Sequence, residues 1–183
     1  MTTEAWAIIG SIVGIVIGAS LTGIASWMTN SKRINADLKA KTRLEWIREV
    51  REITAEIIRD MHTLLILVDK YKEFGSKNNG LTEEEILQFK VESSAIESEI
   101  FKNLNLYKLY FSTITKKGWG YKKQKENIDM HSYAEAVNTQ MLNLNAEVLH
   151  NRGNLYDPRV ITEFRDNTSD YLKREWDKAK KNK

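Results

Sequence analysis

No ionisable side chain occurs between Ala5 and Met28. As a helix rising ~1.5 Å per residue, this stretch, AWAIIGSIVGIVIGASLTGIASWM, is long enough to cross a hydrocarbon core of ~30 Å. Trp6 and Trp27 stand near its two ends, where indole rings favour the membrane interface. A secretory signal peptide would carry a basic leader and a shorter apolar run of ~7–15 residues, and this segment has neither. It therefore reads as an uncleaved signal anchor. Glu4 lies before it, whereas Lys32, Arg33, Lys39, Lys41 and Arg43 follow. The positive-inside rule then predicts a single-pass protein of the cell membrane, with residues 1–4 outside and residues 29–183 in the cytoplasm.

The rest of the chain belongs in water, because mean hydropathy is −0.48 despite the apolar segment. All 28 Lys and Arg lie from Lys32 onward, nearly balanced by the 25 Asp and Glu of the whole chain. That balance carries no general electrostatic signal for nucleic acid, which is not expected as a partner. The absence of Cys excludes disulfide and thiolate chemistry.

Helical periodicity dominates after residue 30. Ile47, Val50, Ile57, Met61, Leu64, Val68 and Tyr71 form one stripe on a helix from about Ser31 to Phe74. Gly75 reads as its stop and residues 76–80 as a polar turn. Thr82 with Glu85 forms a capping box that opens a second helix, carrying Ile86, Ile96, Ile100, Leu104, Tyr107 and Phe111. Residues 115–127 read as a basic connector. Ser132 with Glu135 suggests a third helix start, with Val137, Met141, Leu144 and Val148 following and Arg152-Gly153 ending it. Asp157-Pro158 opens a fourth helix with Val160, Ile161, Phe164, Tyr171, Leu172 and Trp176 on its apolar face. The predicted fold is all-α: an N-terminal transmembrane helix (5–28), a juxtamembrane stalk (29–43) and an antiparallel four-helix bundle with coiled-coil-like packing (44–183).

Three constellations are candidates for interaction. Gly10, Gly14 and Gly18, with Thr22 next in the row, form a groove of small residues through which membrane helices pack closely. This points to a homo-oligomer. Lys116, Lys117, Lys122, Lys123 and Lys125 surround Trp119 and Tyr121. In up-down-up-down wiring, this connector falls at the membrane-proximal end beside Lys32 and Arg33, so a lipid-bilayer surface is the expected contact. Trp46 and Trp176 each sit among cations and are expected to pack as structural residues between the first and last helices.

No catalytic, cofactor-binding or metal site is expected. Phosphate-loop, dinucleotide and nucleophile-elbow motifs do not occur. Glu147-x-x-His150 has the spacing of a di-iron half-site, but no second half-site accompanies it, and a solvent-facing pair is expected. Helical-bundle ribonucleases of the HEPN type place His four to six residues after Arg, whereas Arg59 and His62 are three apart.

The strings Arg43-x-x-Trp46-Ile47-x-x-x-Arg51 and Leu172-Lys173-Arg174-Glu175-Trp176-x-x-x-Lys180, after a membrane helix, resemble a group of small single-pass proteins of bacteria and their prophages. That group often carries Leu-Asn-Pro mid-chain, where this chain has Leu104-Asn105-Leu106. The resemblance implies a phage–host or defence setting. The chain is thus expected to be a non-enzymatic interaction protein with an unknown protein partner. The alternative is a membrane-perturbing, holin-like or abortive-infection effector assembled through the glycine row.

Overall fold

A computed structural model describes the backbone of residues 3–78, 80–111, 114–117, 120–123, 125–150 and 155–181; the side chains of 3–19, 21, 24, 25 and 114–123 lie outside the description. Its elements are α1 (Thr3–Lys77), α2 (Glu83–Tyr110), β1 (Ile114–Lys117), β2 (Gly120–Lys123), α3 (Lys125–Leu149) and α4 (Pro158–Lys181). Residues 45–176 form one compact unit, and residues 1–44 with 177–183 form another. Ala40 and Ala179 are buried in the second of these.

Within residues 45–176 the helices run up, down, up and down. Tyr71 near the end of α1 packs on Phe89 near the start of α2, with ring centroids 5.2 Å apart. At the other end, Tyr110 donates to Glu49 at 2.8 Å, which makes α1 and α2 antiparallel. His131 near the start of α3 donates through Nε2 to the carbonyls of Lys108 and Phe111, at 3.1 and 2.8 Å, and so caps the end of α2. Tyr171 late in α4 donates to Asn127 early in α3 at 3.1 Å.

Every residue of the predicted α1 stripe is buried, as are Ile100, Leu104, Tyr107, Phe111, Val137, Met141, Leu144 and Val148. Ile86, Ile96 and Val160 are half-buried. Two capping expectations hold in atomic detail. The Thr82 hydroxyl accepts from the Glu85 N–H at 3.2 Å while the Glu85 carboxylate accepts from the Thr82 N–H at 2.8 Å. Asp157 accepts from the Arg159 N–H at 3.0 Å, with Pro158 at the first helical position.

Five expectations are corrected. First, α1 starts at Thr3 and runs to Lys77, so the helix read from about Ser31 to Phe74 has other bounds, while its continuation from the apolar segment through a stalk is as expected. Second, Gly75 lies inside its last turn; a Cβ there would meet Leu81 Cγ at 3.4 Å, and the reversal falls at Gly80, whose φ of +129° suits glycine. Third, the basic connector is a two-stranded antiparallel hairpin, with Lys116 opposite Tyr121 and Thr115 opposite Lys122. Fourth, α3 begins seven residues before Ser132, whose hydroxyl donates back to the Ile128 carbonyl at 3.1 Å and caps nothing. The expected third-helix end at Arg152-Gly153 falls outside the described residues, α3 itself stopping at Leu149.

The fifth correction concerns the tryptophans. Trp46 is half-buried, with its ring edge-on to Phe111 and Tyr171 at 5.8 and 6.1 Å, whereas Trp176 is 38% exposed. Trp46→Ala therefore lowers the stability of the full chain by about 2–4 kcal/mol and Trp176→Ala by about 1 kcal/mol or less. Denaturation midpoints in detergent micelles check this, and equal losses would contradict it.

Candidate functional site

A groove of about 680 Å³ lies between α1 and α4. Its walls follow from helix spacing. Arg51, Ala55, Ile58, His62 and Ile66 recur at intervals of three or four on α1, beside the buried stripe, and Arg165, Ser169 and Leu172 do so on α4. Ala55 contributes a small side chain to this wall. The floor is apolar, with Ile58 half-buried, Leu172 buried and Ile66 70% exposed at the rim.

The rim is cationic. Arg59 is held by Asp60 at 2.9 Å and Arg165 by Asp166 at 2.8 Å, so each is partly neutralised. These hydrogen bonds hold both guanidinium groups above their ordinary pKa. Among the described residues, Arg51 has no acidic partner within ion-pair distance. Thr168 below the rim is committed elsewhere, sharing a 2.7 Å hydrogen bond with the Tyr107 hydroxyl. An apolar floor under fixed cations suits an anionic amphipathic surface.

At the opposite end, Glu147 corrects the solvent-facing reading. It is 4% exposed and accepts from Lys72 Nζ at 2.8 Å and from the backbone N–H groups of Leu155 and Tyr156 at 2.7 and 2.8 Å. Gln140 accepts from the Asp157 N–H at 2.8 Å, and Asn143 donates to the Leu155 carbonyl at 3.1 Å. Three polar side chains on one face of α3 thus fasten the segment leading into α4. A second cavity of about 580 Å³ lies beside this clamp, against Gly75, Leu81 and His150. Among the described residues, no group of three His, Asp or Glu could hold a metal ion.

The other predicted site residues are placed as follows. Gly10, Gly14 and Gly18 lie on α1 where side chains are outside the description, while Thr22, Lys32 and Arg33 on α1 and Lys125 on α3 are exposed. The hairpin carries Lys116, Lys117, Lys122 and Lys123; their side chains, and Trp119 altogether, are outside the description. By chain connection the hairpin joins the end of α2 to the start of α3. That is the end of the bundle where Trp46 packs on Phe111 and Tyr171. Arg59, His62, Arg165 and Ser169 were not sequence candidates for an interaction surface. The available signal was a row of long cations and small residues flanking the apolar stripe of α1. No family model matches this chain, and no curated protein or solved structure is similar to it.

Glu147 gives a pH-dependent prediction. Burial pushes its carboxyl up, but the Lys72 ammonium and the two N–H donors outweigh this and hold it below the ordinary value of 4.5. A depressed folded-state pKa stabilises above the unfolded value and is lost as pH falls through the folded one. Glu147→Gln is therefore less stable than the parent at neutral pH, and the difference closes as pH drops below 4.5. Chemical denaturation at several pH values checks this; a constant difference across the range would contradict it.

Proposed function

We propose that this chain is a membrane-tethered, non-enzymatic interaction protein that presents its four-helix unit at the cytoplasmic face of the cell membrane. The observation that supports this best is the continuity of α1, which carries the charge-free residues 5–28 and the buried stripe from Ile47 to Tyr71 in one helix. Among the described residues no helix is long and apolar enough to cross a membrane. The segment proposed to do so lies mostly where side chains are outside the description. The one-sided cations from Lys32 to Arg43 support the orientation. The groove between α1 and α4 is the surface best suited to an acidic amphipathic partner, and the hairpin lysines add a contact to anionic lipid. A phage–host or defence setting rests on the sequence resemblance.

A chain without cysteine allows a direct test. In intact cells, Thr3→Cys is labelled by a membrane-impermeant thiol reagent, and Asn182→Cys is labelled only after permeabilisation. The reverse pattern overturns the orientation. Recovery of the chain in the soluble fraction overturns the tether.

A further inference from the structure

The outward face of α2 carries a second repeat, distinct from the one that builds the core. Leu87, Val91, Ser94, Ser98, Phe101 and Asn105 follow one another at spacings of four, three, four, three and four, and all are exposed. Leu87, Val91 and Phe101 are 63%, 65% and 54% exposed. The core face of the same helix consists of Phe89, Ser93, Ile100, Asn103, Leu104 and Tyr107, on the opposite side. Between Leu87 and Asn105 the outer row holds no charge, in a chain of which 29% is charged. The Ser94 hydroxyl is satisfied by the Val91 carbonyl at 2.9 Å, so covering that hydroxyl strands nothing.

We propose that this row is the seam of a parallel two-stranded coiled coil between the α2 helices of two copies of this chain. Two features select that occupant. Written as heptads, Val91, Ser98 and Asn105 take the a positions and Leu87, Ser94 and Phe101 the d positions. A β-branched residue at a with Leu at d favours two parallel strands, and a buried Asn at a fixes their register. Second, the residues flanking the seam are complementary in that register. Glu97 at g faces Lys102 at e of the other copy, and the symmetry repeats the pair. Lys102 is 60% exposed on its side chain and lies 2.7 Å from Glu99 of its own chain, so it can be shared without being uncovered. Lys90 and Glu83 at the two earlier g positions meet Ala95 and Gln88, and Leu104 at the last g position is buried in the bundle core, so no like charges face one another. Ser94 and Ser98 at the centre let the two backbones approach. A seam of six residues per copy falls in the small interface class, below about 1,200 Å², so the association is weak and reversible.

The test uses cross-linking of the full chain in its native membrane, with no background thiol. Asn105→Cys forms a disulfide-linked dimer on mild oxidation, because in-register parallel helices bring equivalent Cα atoms within the ~7 Å a disulfide requires. Thr162→Cys, exposed on α4, gives several-fold less. Adding Glu97→Lys to Asn105→Cys lowers the yield several-fold, and combining it with Lys102→Glu restores it. Equal yields from Asn105→Cys and Thr162→Cys overturn the proposal, as does failure of the charge swap to restore cross-linking while thermal unfolding shows the variants folded. An antiparallel pairing, in which Leu87→Cys links to Asn105→Cys only in mixtures, also overturns it.

Discussion

A cluster of rings at one end of the bundle decides how the helices are wired. Tyr107 of α2 is fully buried between Phe111 at 4.7 Å and Phe164 of α4 at 5.0 Å. Phe111 in turn meets Trp46 of α1 at 5.8 Å and Tyr171 of α4 at 5.3 Å, edge-on. Such contacts add to the large area the rings remove from water. Their polar ends are tied down as well. The Tyr107 hydroxyl meets Thr168 at 2.7 Å, and Tyr171 reaches Asn127 on α3. Burial pushes the Tyr107 hydroxyl far above its ordinary pKa, so it stays protonated. Tyr107–Thr168 links α2 to α4, and Lys72–Glu147 at the other end links α1 to α3. Helices that do not follow each other in sequence are thereby pinned at both ends.

The apolar stripes were legible because burial on one side of a helix imposes a period that polar neighbours cannot imitate. From Ile47 to Tyr71 the pattern named the buried face without error. The caps at Thr82 and Asp157 were legible because an orphan N–H needs an acceptor at a fixed offset. What escaped has a common cause. Ser132 and Glu135 satisfy the same local rule as a capping box, yet Met130 is buried and Lys108 takes Glu135, so tertiary contact extended α3 backwards. The hairpin strands are four residues each, too short for alternation to stand out from a basic loop. Glu147 looked exposed because charge at a helix end usually is. Its partners come from Lys72, 75 positions earlier, and from backbone N–H groups beyond the turn, and no local spacing announces either. Trp176 was misplaced because flanking cations do not determine which face of α4 turns inward.

The candidate surfaces occupy different helices. The cationic groove belongs to α1 and α4, and the uncharged seam to α2. One face can therefore pair with a second copy while the other remains available for a different partner. The proposed membrane tether would raise the local concentration that the proposed weak seam requires.

The wiring set by the ring cluster is the foundation of each of these assignments, and a double-mutant cycle between Tyr107 and Thr168 tests it most directly. Tyr107→Phe and Thr168→Val each remove one side of the contact between α2 and α4. The account predicts a coupling energy of about 1 kcal/mol in the full chain, as for a buried hydrogen bond that leaves its partner stranded when broken. Losses that add within about 0.3 kcal/mol would show that the two side chains do not meet, and would contradict the antiparallel placement of α4.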